Sequence, residues 1–182
     1  MTGLPLAWGA VGDEHTRAWP VDARVRGPVL AMTRAVSVRA PVDLTWRWAC
    51  QLAVAPYSYD LVDNRGRRSP QELTTRTADL VPGRRMAVVY ELVDVDPGRS
   101  WTGVSLPCAS RLFGRFATTY AVEPTDDPAR CRLLCRLVVT RRGRVSALRS
   151  RLLAWGDLVM MRRQLLNLKG LAERDARRSG AD

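Results

Sequence analysis

The sequence predicts an α+β domain in which a curved antiparallel sheet is wrapped around a long C-terminal helix. Three observations support this class. Residues 30–39 alternate between two faces like a strand and then break at Ala40-Pro41 into a helical pattern. Residues 86–140 hold further strand-like segments joined by short turns, and short turns imply antiparallel pairing. Residues 146–178 contain no proline and space their apolar side chains as a helix does, over a length of about 45 Å.

The first 28 residues predict an extended arm that lies on the domain. They hold seven glycine and proline residues and show little periodicity. Trp8 and Trp19 are the expected anchors of this arm. The domain itself is predicted over residues 29–178, and residues 179–182 are predicted to be a disordered tail.

Short helices are predicted directly after the first strand. Pro41 suits the first turn of a helix, and residues 42–53 continue with helical spacing. Pro56 ends this helix. Residues 57–70 then predict a loop with a short helical turn.

Four strands are predicted next, over residues 86–95, 101–106, 115–123 and 131–140. In the last of them Arg132 and Arg136 alternate with apolar residues. We therefore expect the side of the sheet that carries these arginines to face water.

The C-terminal helix is predicted to bury one apolar stripe against the sheet. Its members recur at helical spacing and are Leu148, Leu152, Trp155, Val159 and Leu166, widened by Leu158, Leu165 and Ala172.

Several kinds of site are excluded by residue types. The chain has one histidine and four cysteines without a Cys-x-x-Cys pair, so we expect buried thiols and no metal site. No glycine-rich phosphate loop or dinucleotide fingerprint is present, and no cofactor is expected. A serine triad is not expected, because no serine lies in a Gly-x-Ser-x-Gly motif and the one histidine, His15, lies in the N-terminal arm.

The charge is strongly positive, with a formal net charge of +11. Residues 141–178 carry eleven basic and three acidic residues. This segment could attract an acidic partner, an anionic membrane surface or nucleic acid, or it could be a solvated helix face. We expect no specific nucleic-acid partner, weak binding to anionic surfaces at most, and leave the oligomeric state open.

No apolar run reaches the length of a membrane span, and the N-terminus lacks the pattern of a secretory signal. The expected location is therefore the cytoplasm.

Several short segments give the chain a family resemblance. They are Trp8-Gly9-Ala10, Arg34-Ala35-Val36, Ala40-Pro41-Val42, Trp46-Arg47-Trp48, Pro56-Tyr57-Ser58-Tyr59-Asp60, Asp63-Asn64, Ala154-Trp155-Gly156-Asp157 and Arg163-Gln164-Leu165-Leu166. Through them the chain resembles the SRPBCC superfamily (START-like, helix-grip fold), and within it uncharacterised bacterial members. The superfamily includes polyketide cyclases, aromatases and binders of lipids or hormones. The resemblance implies a cavity between sheet and C-terminal helix, but it does not fix a reaction.

Asp157 is the first candidate for chemistry in such a cavity. It lies seven residues from Gln164 on one side of the long helix, and a carboxyl group in an apolar pocket has a raised pKa that suits proton transfer. The alternative is an Asp157 that points outward or pairs with Arg162 or Arg163.

The loop after the first helix supplies the second candidate cluster, formed by Tyr57, Tyr59, Asp60 and Asp63. These side chains could orient a ligand at the cavity mouth. The alternative is tyrosines packed under a loop and aspartates that cap a turn.

The predicted sites are as follows. Catalytic candidates are Asp157 and Tyr59. Ligand-binding candidates are Trp46, Tyr57, Tyr59, Asp60, Tyr90, Trp101, Phe116, Tyr120, Trp155, Met160 and Gln164.

Two functions compete for this cavity. The first is binding of a small hydrophobic ligand of lipid, polyketide or aromatic type. The second is an enzyme that resembles polyketide cyclases, aromatases or dehydratases. An interaction protein that uses its basic helix is a third possibility.

Overall fold

The computed structural model describes residues 3–64, 66–141 and 145–179; the predicted tail lies outside this range except for Ser179. The strands are β1 (Ala7–Trp8), β2 (Val29–Val38), β3 (Arg85–Met86), β4 (Tyr90–Asp96), β5 (Ser100–Ser105), β6 (Phe116–Pro124) and β7 (Cys131–Thr140). The α-helices are α1 (Val42–Cys50), α2 (Asp60–Asp63), α3 (Pro107–Phe113) and α4 (Val145–Ser179). Short 3-10 turns occupy Pro20–Arg24, Gln51–Ala53 and Thr77–Asp79.

The seven strands form one sheet in the order β1-β2-β7-β6-β5-β4-β3. The β1–β2 pair is parallel and every other pair is antiparallel. Helix α4 packs on the inner face of this sheet, and short helices follow β2. The predicted fold class is therefore confirmed.

The strand predicted over residues 86–95 is interrupted. Residues 87–89 form a turn between β3 and β4, in which Ala87 and Val88 have φ angles of 44° and 68°. The Ala87 amide donates to the Leu52 carbonyl instead of a neighbouring strand. This left-handed backbone is costly for Val88, whose side chain is branched at Cβ. Helix α3 was also not foreseen in the sequence.

The outer face of the sheet is covered by the N-terminal arm, which corrects the expectation that Arg132 and Arg136 face water. Arg132 pairs with Glu14 at 2.7 Å and Arg136 pairs with Asp22 at 2.8 Å. Trp19 is buried on this face against small side chains of the strands, which leave room for its ring. The sequence did not indicate that arm and strand arginines would neutralise one another.

Strand β1 ties the arm to the edge of the sheet. Gly9 follows β1 with a φ of 71°, and a Cβ atom there would lie 2.0 Å from the Ala35 carbonyl oxygen. Only glycine permits this close approach. The arm therefore lies against β2 at a distance that a side chain would prevent.

Helix α4 is rotated relative to the prediction. Leu152, Trp155, Val159 and Leu166 are exposed, whereas Leu158 and Leu165 are buried as expected. The side chains that face the sheet repeat every three or four residues and are Ala154, Leu158, Met161, Leu165, Leu168 and Ala172. The helix has two apolar stripes, and the one that contains Ala154 and Met161, not the one that contains Trp155, packs against the strands.

The cysteine side chains match the expectation of buried thiols only in part. Cys50, Cys131 and Cys135 are buried, but Cys108 is exposed in α3. Within the described ranges, no helix is long and apolar enough to cross a membrane.

Candidate functional site

A cavity of about 450 Å³ lies between the inner face of the sheet and helix α4. Most of its wall is apolar and comes from β2, β6, β7, the 87–89 turn and α4. The lining residues are Met32, Pro56, Ser58, Ala87, Val88, Val89, Tyr90, Phe116, Tyr120, Leu137, Val139, Leu152, Leu153, Gly156, Asp157, Met160, Met161 and Gln164. Strand alternation explains the wall, because Phe116 and Tyr120 share one face of β6 while Leu137 and Val139 share one face of β7.

Asp157 is the ionisable acid in this wall, and its partner is Arg34. A guanidinium nitrogen of Arg34 lies 2.9 Å from a carboxylate oxygen of Asp157. The Arg34 side chain is 1% exposed and also donates to the carbonyls of Leu6 and Thr33 at 3.0 and 3.1 Å. The ion pair thus joins the first long strand, the arm and the long helix.

Burial raises the pKa of Asp157 from 3.8 to about 6, and the charge and hydrogen bond of Arg34 oppose this rise. Desolvation outweighs the arginine because the carboxyl lies against an apolar cavity. A carboxyl group with this pKa exchanges its proton close to neutral pH. Asp157 can therefore accept a hydrogen bond from a ligand when ionised and donate one when protonated.

The raised pKa predicts how stability depends on pH. Between about pH 4 and pH 6 the folded protein keeps a proton on Asp157 that the unfolded chain has lost, so the folded state loses stability as pH rises. Relative to Asp157→Asn, the free energy of unfolding of the wild type should fall by up to about 3 kcal/mol from pH 4 to pH 7. Urea denaturation of both proteins across this range measures the difference. A difference that stays constant with pH would contradict the prediction.

Tyr120 and Gln164 form a fixed polar contact at the cavity wall. The Tyr120 hydroxyl donates to the Gln164 side-chain oxygen, and the Gln164 amide donates to the Pro56 carbonyl. The ring of Tyr120 stacks on Trp101 with centroids 4.5 Å apart. Burial raises the pKa of Tyr120 well above its usual range. Both side chains are therefore held in place, and Gln164 mainly anchors the loop after α1.

Tyr90 differs from Tyr120 in its hydrogen bonding. Its ring packs edge-on against Phe116 at 5.4 Å and its side chain faces the cavity, with 8% of the residue exposed. Within the described part of the chain, no residue hydrogen-bonds its hydroxyl. Burial raises the pKa of Tyr90 well above its usual range, so the group stays protonated. The Tyr90 hydroxyl is available to a ligand.

The cluster Tyr57, Tyr59 and Asp60 lines a separate surface cleft of about 640 Å³ beside the cavity. Tyr57 is buried and its hydroxyl accepts a hydrogen bond from Gln51 at 3.2 Å. Asp60 accepts the Ser69 amide at 2.8 Å, and Tyr59 is exposed beneath the guanidinium of Arg163. The Asp63 side chain lies outside the described part of the chain.

The backbone at Tyr57 explains why this cluster turns away from the cavity. Tyr57 has a φ of 55°, and its carbonyl accepts the Asn167 side-chain amide at 2.8 Å. Gln164 holds the preceding carbonyl in the same way. Two amides of α4 thus stabilise a left-handed turn that a bulky residue adopts only under such restraint.

The predicted ligand contacts therefore separate into groups. Tyr90, Phe116, Tyr120, Met160 and Gln164 line the cavity with Asp157. The other candidates do not: Trp46 and Trp101 are buried in the core, Trp155 is 49% exposed on the outside of α4, and Tyr57, Tyr59 and Asp60 line the neighbouring cleft. Of the two catalytic candidates, Asp157 faces the cavity and Tyr59 does not.

Sequence reasoning missed Arg34 and the turn at Ala87 and Val88. The alternative interpretation of Asp157 predicted a pair with an arginine. Asp157 does form such a pair, but its partner is Arg34 and not Arg162 or Arg163. The signal was present, because Arg34 shares the inward face of its strand with Met32, Val36 and Val38. A buried arginine on an apolar face needs an acidic partner.

Among the described residues, no group of three or more histidine, cysteine or acidic side chains could hold a metal ion.

Solved structures of low sequence identity share this fold. A protein of Thermobifida fusca solved by NMR is 19% identical, with 79% of this chain and 93% of that chain aligned at a TM-score of 0.55. The di-domain ARO/CYC StfQ from the steffimycin biosynthetic pathway is 17% identical, with 81% of this chain and 52% of that chain aligned at a TM-score of 0.50. A protein of Chromobacterium violaceum is 13% identical, with 79% and 96% aligned at a TM-score of 0.50. No protein-family model and no curated protein matches the sequence.

These similarities concern architecture. At identities below one fifth they show a common fold, while ligands and reactions vary among proteins of one fold. The chain has the helix-grip fold.

Proposed function

We propose that the protein binds a small, mainly apolar molecule of lipid, polyketide or aromatic type in the cavity between the sheet and α4. The observation that carries this proposal is the cavity itself, which has an apolar wall and a few polar groups. Its volume of about 450 Å³ falls within the usual range for small-molecule sites. Such a wall favours ligands that gain by leaving water.

The polar groups limit the kind of ligand. Gln164 and Tyr120 bond to each other, whereas Asp157 is 14% exposed at the cavity and the Tyr90 hydroxyl has no partner among the described residues. A ligand with one hydroxyl group could bond to either of these side chains. A ligand without any polar group would leave the Tyr90 hydroxyl unpaired.

Calorimetric titration with naphthalene and 2-naphthol tests this proposal. We expect both to bind in a single saturable step, with 2-naphthol tighter by about threefold to tenfold because of one added hydrogen bond. The preference for 2-naphthol should shrink in Tyr90→Phe and Asp157→Asn. Absence of saturable binding for both compounds would refute the proposal, and Tyr59→Phe, which lies outside the cavity, is the matched control.

A cyclase- or aromatase-like enzyme is the second candidate, favoured by the carboxyl group of Asp157. Its pKa of about 6 suits a general acid or base, and one similar structure is described as ARO/CYC. If this function holds, the protein converts a poly-β-keto precursor, and Asp157→Asn stops conversion while binding persists. If a precursor binds and remains unchanged, the enzyme function is refuted and binding is the function that remains.

A further inference from the structure

Helix α4 carries an exposed apolar stripe that the core does not use. It consists of Leu152, Trp155, Val159 and Leu166, and we call it the outer stripe. Leu152 is 66% exposed and Trp155 is 49% exposed. With 3.6 residues per turn, the four side chains fall within about 60° around the helix axis. Large apolar side chains grouped in this way mark an interaction surface more often than scattered ones do.

Arginines flank the outer stripe on both sides. Arg162 and Arg163 project to opposite sides of it by the same helical geometry. Arg162 lies over the ring of Trp8 at 5.6 Å, and Arg163 lies over the ring of Tyr59 at 5.9 Å. These aromatic rings extend the stripe sideways into a groove of about 500 Å³.

The positive charge at this surface is not neutralised within the described part of the chain. The three acidic residues of α4 are already paired, Asp157 with Arg34, Glu173 with Lys169 and Asp175 with Arg174. No described carboxylate forms an ion pair with Arg162 or Arg163. The surface therefore combines apolar side chains with unpaired cations.

We propose that the outer stripe docks on an anionic lipid bilayer. Aliphatic and tryptophan side chains flanked by arginines fit the boundary between acyl chains and acidic headgroups. A second copy of the chain fits poorly, because symmetric pairing would bring arginines toward arginines. An acidic protein would satisfy the arginines, but it would not account for the position of the cavity.

The cavity reaches the outer stripe at Leu152. This exposed side chain belongs to the outer stripe and also lines the cavity, as does the exposed Val88, so a mouth of the cavity lies at the border of the stripe. A docked protein would hold this mouth near the acyl chains, so an apolar ligand could enter without crossing water. This delivery route rests on the proposed function, whereas docking itself does not.

Vesicle binding tests the proposal through Trp155. Vesicles of phosphatidylcholine alone are compared with vesicles that also contain phosphatidylglycerol, and binding is followed by sedimentation and tryptophan emission. We expect binding to the anionic vesicles only, a blue shift that is lost in Trp155→Phe, and weaker binding at high salt. Arg162→Glu should weaken binding by about fivefold to thirtyfold, since one cation near an anionic surface contributes about 1 kcal/mol and reversal acts twice.

Matched variants separate this surface from general charge. Arg26→Glu makes the same change of charge at an exposed arginine of the N-terminal arm. Val159→Ser should weaken vesicle binding, and Val81→Ser makes the same change at another exposed valine. Both controls should bind vesicles as the wild type does. Equal losses in Arg26→Glu and Arg162→Glu would overturn the proposal.

Other occupants give distinct results. Sedimentation velocity would overturn docking on lipid if it showed a dimer that is lost in Val159→Ser, because a second copy would then cover the stripe. Binding of poly-glutamate in the absence of vesicles would also overturn it, if that binding required Trp155. Vesicle binding without binding of either naphthalene or 2-naphthol would support docking and refute the cavity function. The reverse result would refute docking and leave the cavity function standing.

Discussion

Arg34→Met should lower the free energy of unfolding by about 3–5 kcal/mol, the usual cost of removing one member of a buried ion pair. The substitution leaves the Asp157 carboxyl without its partner in an apolar surrounding. It also removes donors from the carbonyls of Leu6 and Ala154, and thereby weakens the contact of the arm with β2 and α4. Urea denaturation at pH 7 measures the loss.

Two further variants identify the cause of this loss. Arg34→Met combined with Asp157→Leu removes both charges and should recover much of the lost stability. Arg24→Met removes the exposed pair with Asp94 and should cost less than about 1 kcal/mol. A double variant as unstable as Arg34→Met would show that the arginine acts through packing and not through Asp157.

Gly156→Phe should abolish binding of 2-naphthol, with affinity reduced by more than about tenfold, as expected when a bulky ring competes with the ligand for one site. Gly156 lines the cavity, and a Cβ atom there would have no neighbour within 4 Å. The phenyl ring can therefore occupy the cavity mouth without a clash at its base. Stability should be maintained, because glycine is the least favourable residue in a helix interior apart from proline.

Gly170→Phe is the matched control for this prediction. Gly170 lies on the same helix with equal space for a Cβ atom, but it lines the surface cleft beside the cavity. The Gly170→Phe variant should bind 2-naphthol as the wild type does. Equal binding to the wild type and Gly156→Phe would place the ligand outside the cavity.

The fold was largely predictable because its signals are local. Alternation along β2, β6 and β7 and the long proline-free segment at the C-terminus each follow from neighbouring residues. The break within the strand predicted over residues 86–95 could not be foreseen, since it depends on the hydrogen bond between Ala87 and Leu52. None of residues 87–89, which form the break, is of a type that favours a positive φ angle.

The site was less predictable because its contacts are distant in sequence. Arg34 and Asp157 are 123 residues apart, and only the packing of α4 on β2 brings them together. Helix α4 also has two apolar stripes, and periodicity alone does not say which one meets the sheet. The sequence favoured the stripe with Trp155, whereas the sheet accommodates the stripe with Ala154 and Leu165.

In the loop after α1, residues that are neighbours in sequence were expected to share a site and do not. Tyr57, Tyr59 and Asp60 are close in sequence and were expected to act together at the cavity. The left-handed turn at Tyr57 directs these three side chains into a separate cleft, and only their neighbour Ser58 lines both the cleft and the cavity among residues 57–60. Adjacent residues in a loop need not share a site.

Native mass spectrometry of the purified wild type and of Gly156→Phe tests the central claim most directly. We expect the folded wild type to carry an organic molecule that is released on unfolding, or to take up 2-naphthol at one molecule per chain. Gly156→Phe should do neither. Wild-type protein that carries no molecule and takes up neither naphthalene nor 2-naphthol would contradict the account.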